Sequence, residues 1–160
     1  MIYILDTNIF RKILEHLPKK GDYFEHIWQS FEDGIRKGIY QSVDECFNEL
    51  DAHYDDKNEN MEWLKKNKNM FLAPTDDESR ILRELFEKPK MRESIHTRNI
   101  LNNRPAADPY IVAKAKSIGG IVVTAETYKA HSAQLPNLCE ELGVACISYD
   151  DFMAIVAKGE

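Results

Sequence analysis

Five short apolar runs, each separated from the next by a segment of helical periodicity, limit what this chain can become. They are Ile2 to Leu5, Tyr40 to Val43, Met70 to Ala73, Ile121 to Thr124 and Ala145 to Ser148. The first run is short, apolar and partly β-branched, as a strand buried on both faces must be. Strands that alternate with helices pair in parallel, because each return to the sheet needs a crossover long enough to hold a helix. The expected fold is α/β with a five-stranded parallel sheet between helical layers. At 160 residues, one domain spanning 1–160 is the natural size.

The connecting segments carry their own signals. Tyr23, Phe24, Ile27, Trp28, Phe31 and Ile35 recur at three- and four-residue spacing, with Asp22 placed as an N-cap and Gly38 as a stop. That spacing assigns the aromatics, Trp28 included, to core packing and not to a base-stacking surface. Thr75-Asp76-Asp77-Glu78 has the capping-box pattern ahead of Ile81, Leu82, Leu85 and Phe86. Polar stretches at Asp55 to Asn60 and Asn102 to Pro105 read as loops within crossovers. The charge runs Lys65-Lys66 and Asp76-Asp77-Glu78 read as solvated helix faces.

Composition narrows the chemistry. Hydrophobic residues at 43% and charged residues at 30% are globular proportions, without the signature of disorder. A formal charge of −6 argues against a protein that grips nucleic acid through a broad basic surface, so any phosphate chemistry has to lean on bound cations; the same charge fits a solvated surface that keeps a protein soluble, and alone it decides nothing. Cys46, Cys139 and Cys146 lack metal-binding spacing and read as buried thiols in a reducing compartment. The apolar start is cut short by Asp6, too early for a signal-peptide core or a membrane span, and a cytoplasmic location is expected.

In an open parallel sheet, ligands bind beyond the carboxyl ends of the strands, where strand order reverses. Asp6, Thr7 and Asn8 follow the first strand, and Thr124 and Glu126 end or follow the fourth, which is expected to lie beside it. Asp108 opens a helix at Asp108-Pro109, where an Asp also serves as an N-cap. Glu45 and Glu49 lie one turn apart after the second strand, and either can face the strand ends.

Gathering such acids costs on the order of 3 kcal/mol per pair at ~5 Å and an effective dielectric near ~20. A divalent cation reverses that sign. All-oxygen ligands suit Mg²⁺ or Mn²⁺, and His16, His26, His53, His96 and His131 offer no zinc spacing, reading as surface or packing residues. Asn8 and Thr124 are placed to orient water, phosphate or a ligating carboxylate by hydrogen bonds.

The order of these features, Asp6-x-Asn8 after a strand, Glu49-Leu50 on a helix, Ala107-Asp108-Pro109, then Val122 to Glu126, resembles the PIN-domain nuclease family. The ending Leu135-Pro136-Asn137-Leu138-Cys139 with Gly143-Val144 resembles a little-characterised prokaryotic branch of it. The resemblance implies a PIN-like fold and a Mg²⁺- or Mn²⁺-dependent ribonuclease site, with Asp6, Glu49, Asp108 and Glu126 as catalytic metal ligands. Glu126 stands where the family often has Asp. Glu49 is preferred over Glu45 because it precedes Leu50. The resemblance further implies an RNA substrate and, for a toxin of a toxin–antitoxin pair, an antitoxin partner; a second copy of the chain is left open.

Two other readings stand beside it. A phosphatase of the haloacid-dehalogenase type also opens on a strand and an acid, but needs a second acid where this chain has Asn8. A PIN-like module that binds RNA or protein without cutting is disfavoured by the filling of every acidic position. The loop from His96 to Arg104, with Arg98 and Arg104, reads first as an ordinary exposed helix end and loop; as a source of phosphate contacts it would serve either reading and so does not discriminate between them.

Overall fold

The computed structural model describes residues 1–89, 91–93, 106–130 and 134–159. Its strands are β1 (Tyr3–Leu5), β2 (Tyr40–Val43), β3 (Phe71–Leu72), β4 (Ile121–Val123) and β5 (Cys146–Ile147). They form one all-parallel five-stranded sheet in the order β3-β2-β1-β4-β5. The helices are α1 (Thr7–His16), α2 (Asp22–Arg36), α3 (Asp44–His53), α4 (Glu59–Lys66), α5 (Asp76–Phe86), α6 (Asp108–Ile118), α7 (Leu135–Leu142) and α8 (Tyr149–Lys158). The helices cover the sheet and give an α/β/α arrangement. The loop at His96 to Arg104, Asn102 to Pro105 and His131 lie outside the described residues.

The central strand is β1, with both inward positions fully buried at Ile4 and Leu5. Register is set on each side by Tyr3 opposite Tyr40 and Ile4 opposite Val122. The chain builds outward from β1 to β3, then returns to place β4 on the other flank, so strand order reverses between β1 and β4. In open parallel sheets, that reversal, here beyond Leu5 and Val123, is where ligands bind.

Tyr40 shows how the sheet and helices lock. Its ring stacks on Phe31 of α2 at 5.8 Å and meets Phe152 of α8 edge-on at 5.0 Å. Gly34 makes room for it: a Cβ there would lie 2.2 Å from Tyr40 Cε2. Trp28 belongs to the same core, with its indole N–H donating to Pro18 O at 3.0 Å.

Several expectations need adjusting. Gly21, at φ 102°, holds the cap position of α2, a backbone conformation glycine adopts without strain, and Asp22 moves into the first turn. Tyr23 is exposed, because its position on α2 points outside the buried stripe. The third strand is shorter than expected, since Met70 closes a 3₁₀ turn before it, and β5 holds only Cys146 and Ile147. Cys146 is only half-buried, at the sheet edge, whereas Cys46 and Cys139 are buried.

The acidic run is the largest departure. Thr75 and Glu78 do form the capping box, yet Glu78 is 2% exposed, not solvated. Its Oε1 accepts from Lys114 Nζ at 2.6 Å while Oε2 accepts from Thr75 N at 2.9 Å. One carboxylate therefore caps α5 and pins it to α6. No helix among the described residues is long and apolar enough to cross a membrane.

Candidate active site

Asp6 follows the buried β1 and caps α1. Its Oδ1 accepts from Thr7 N at 2.7 Å, satisfying one of the helix's unpaired N-terminal donors, and the N-terminal dipole favours the charge placed there. Its Oδ2 accepts from the Thr124 hydroxyl at 2.9 Å, and its N–H donates to Val123 O at 3.0 Å, so the ends of β1 and β4 are tied together at this residue. The side chain is almost wholly withdrawn from solvent.

Three other acids face it, each from a different segment. Burial first, then the charges of Asp108 and Glu126, push the Asp6 carboxyl well above its usual range; Thr124's hydroxyl pulls the other way, and Glu49 adds to the rise. Such a cluster is a deficit of positive charge beyond the strand ends.

Glu49 is held from two sides. Its Oε2 accepts from the Thr7 hydroxyl at 2.8 Å and its Oε1 from Ala107 N at 2.9 Å, which joins α1, α3 and the entry to α6. Glu45, half-buried one turn earlier, makes neither bond; burial and neighbouring Asp44 raise its carboxyl, and burial, then the charges of Glu45 and Asp44, raise Tyr110 of α6. Glu49 is thus the helix acid tied to the end of β1.

Asp108 is buried at the first position of α6, with Pro109 behind it. The expected capping role is not what the structure shows: Ala107 occupies the cap position, in a right-handed conformation and without a side-chain bond. Asp108 therefore sits inside the first turn, where the helix N-terminus favours its charge. Glu126, half-buried, donates its N–H to Thr124 Oγ1 at 3.1 Å and accepts at Oε2 from Leu135 N, the start of α7, at 2.7 Å. Asn8 is half-buried in the first turn of α1.

Residues 3–157 match the model of a protein family described as a domain of unknown function, DUF4411. This chain belongs to the DUF4411 family. No curated protein matches it. Among solved structures, the DUF4411 chain is similar to one in the crystal structure of VapBC2 from Rickettsia felis bound to a DNA fragment from their promoter. The TM-score is 0.53 and the identity 15%, over 92% of this chain and 98% of that one. At that identity the likeness is one of fold, and the fold is PIN-like.

For a divalent cation, the donor chemistry of the DUF4411 chain fits. The charged groups raising Asp6 are all carboxylates, the hard oxygen donors that Mg²⁺ and Mn²⁺ take. Among the described residues, no three His, Cys, Asp or Glu side chains already stand as a coordination shell. Asp6, Glu49 and Glu126 are each turned toward backbone N–H groups or hydroxyls.

Sequence reasoning missed two residues that organise this site. Thr7 was seen only as part of the strand-end motif, yet it orients Glu49, and a contact 42 residues apart leaves no local pattern. Asn137, in the Leu135 to Cys139 stretch, holds the loop that carries Glu126 through Lys129, a contact eight residues apart that leaves no periodic pattern.

Proposed function

We propose that this chain is a divalent-metal-dependent endoribonuclease that hydrolyses RNA phosphodiester bonds. The observation that carries the reading is the grouping of Glu49, Asp108 and Glu126, delivered by α3, α6 and the β4 exit, around the buried carboxylate of Asp6 at the end of β1, whose ionisation they oppose. A protein bears that cost where a cation is to be held. A second support is the PIN-like fold, which sets the acids at the strand-order reversal.

The roles follow from position. Asp6, with Asp108 and Glu126, would hold Mg²⁺ or Mn²⁺, and Glu49 would join them from α3. When bound, such an ion supplies positive charge that acidifies a water and offsets the charge gathering on a phosphodiester under in-line attack. Thr124 fixes the rotamer of Asp6 by its hydroxyl, and Thr7 does the same for Glu49. Asn8, on the first turn of α1 beside Asp6, orients the attacked phosphate or the water through its amide. The net charge of −6 leaves a cation as the natural means of drawing a polyanion to these acids.

The chain further fits the toxin half of a toxin–antitoxin pair. Support comes from the VapBC2 likeness, a complex bound to promoter DNA, and from the near-complete coverage of both chains. Its partner would then be an antitoxin covering the acidic cluster, and its place of action the cytoplasm.

The test is incubation of the purified chain with single-stranded and structured RNA in Mg²⁺, Mn²⁺ or chelator, beside Asp6→Asn, Asp108→Asn and Glu45→Gln. Metal-dependent cleavage lost in the first two and kept in Glu45→Gln supports the assignment. Cleavage that survives Asp6→Asn and Asp108→Asn rejects it. Tight RNA binding by a wild type that never cuts would favour the non-cutting module instead.

A further inference from the structure

The segment leaving β4 is pinned more firmly than an exposed loop requires. Glu126 is fixed through its N–H to Thr124 Oγ1 and its Oε2 to Leu135 N. Beyond it, Asn137 of α7 grips both backbone groups of one residue: its Oδ1 accepts from Lys129 N at 3.1 Å and its Nδ2 donates to Lys129 O at 2.6 Å. Asn137 is 7% exposed, so its amide spends its polar groups on the loop and not on water. The stretch Leu135-Pro136-Asn137 thus works as a clamp, with its first N–H on Glu126 and its amide on Lys129.

Between those pins stands Tyr128, 58% exposed. Tyr23 is comparably exposed but leans edge-on against Phe24 at 5.4 Å, whereas Tyr128 has no ring partner among the described residues. A single exposed aromatic is ordinary. An aromatic held on an anchored backbone two residues from Glu126 is a different matter, because anchoring removes the ordering cost that a flexible loop meets on binding. The chain's acidity adds weight. Without a broad basic surface, affinity for a nucleic acid has to come from something other than backbone charge, and a ring stacks on the face of any unpaired base.

We propose that Glu126 to Lys129 forms the lip of the site that receives a single-stranded nucleic acid, with Tyr128 stacking a base, Lys129 meeting the adjoining phosphate and Asn137 as the positioning residue. The proposal rests on the nuclease reading for its choice of RNA. A duplex hides its base faces, so it is excluded from this contact.

The test uses the full chain carrying Asp6→Asn, which blocks cutting, together with Tyr128→Trp. Fluorescence is followed against the Asp6→Asn parent, whose native Trp28 and Trp63 pack near each other with centroids 6.1 Å apart and supply the blank. Saturable quenching by a short single-stranded RNA, and none by a duplex of the same sequence, is expected; single-stranded DNA in a third arm tells a ribose preference from plain stacking. Asn137→Ala is expected to lower the anisotropy of the introduced indole and weaken the quench while far-UV circular dichroism stays unchanged. In the otherwise wild-type chain, Tyr128→Ala should raise KM about tenfold with kcat within about twofold, and Tyr128→Phe should restore KM.

An introduced indole blind to saturating single strands, or Tyr128→Ala cutting with wild-type KM, overturns the proposal and leaves the nuclease reading standing. Quenching by single strands in a chain whose wild type never cuts does the reverse.

Discussion

The hydroxyl of Thr7 donates to Oε2 of Glu49 across 2.8 Å, joining the first turn of α1 to the middle of α3. Glu49's other oxygen is held by Ala107 N, so the Thr7 bond is what orients the outer half of the carboxylate. Thr7→Val keeps the shape and removes the donor. The chain should still fold, while metal-dependent activity falls roughly 10–100-fold, the usual cost of losing a group that orients a ligand. Thr7→Ser should keep most of the activity. Initial rates at fixed Mn²⁺ check both.

The acidic cluster also predicts a pH dependence of stability. Asp6 is held well above the ordinary carboxylate value of 3.8, by burial first and then by Asp108, Glu126 and Glu49, against the pull of Thr124. A group raised in this way favours the fold while it keeps its proton, and that contribution is lost as pH rises through the folded value. Asp6→Asn keeps an acceptor for Thr7 N, turns an amide N–H toward Thr124 Oγ1, and never ionises. Without added metal, it should melt above wild type at pH 8 by several degrees, at roughly 2–4 °C per kcal/mol, and the gap should close as the pH falls toward 4. Thermal melts across that range read it directly.

Glu78 and Lys114 form an ion pair in which both side chains are almost fully buried. Removing one partner strands the other charge in the interior, so Lys114→Met should cost about 3–5 kcal/mol. The double change Glu78→Gln with Lys114→Met should recover most of that, because glutamine still offers Thr75 N an acceptor and no charge is left unpaired. Urea unfolding of the single and double variants measures the coupling.

Gly34 tests the packing of α2 on the sheet. In an open helix, Ala in place of Gly gains about 1 kcal/mol. Here the added carbon would fall inside the Tyr40 ring, 2.2 Å from Cε2, so the ring or the helix must move. Gly34→Ala should therefore destabilise, by roughly 1–3 kcal/mol or more. Gly34→Ala paired with Tyr40→Leu should lose less than the two separate costs together.

How far these features were legible follows from the range over which each is encoded. β1 announces itself through Ile2 to Leu5, and the Thr75–Glu78 capping box through residues three apart; both lie within a turn or a strand. Asp6, Asp108 and Glu126 could be picked out because strand ends and helix starts are local signals and parallel sheets gather them at one edge. Glu49 against Glu45 could not be separated by period, since both lie on one flank; the bonds from Thr7 and Ala107 separate them. Asp22, and Asp108 where it is read as a cap, lie one position inside their helices, because residue type marks a helix start only to within a position. Glu78 looked like part of a solvated run, and only Lys114, 36 residues on, explains its burial.

The most direct test of the acidic site is Mn²⁺ binding to the purified chain, read as loss of the free-ion signal in electron paramagnetic resonance. Wild type should sequester Mn²⁺, Glu45→Gln should match it, and Asp6→Asn with Asp108→Asn should leave the ion free. Equal binding by wild type and the double variant, or none by wild type even with single-stranded RNA present, would contradict the account.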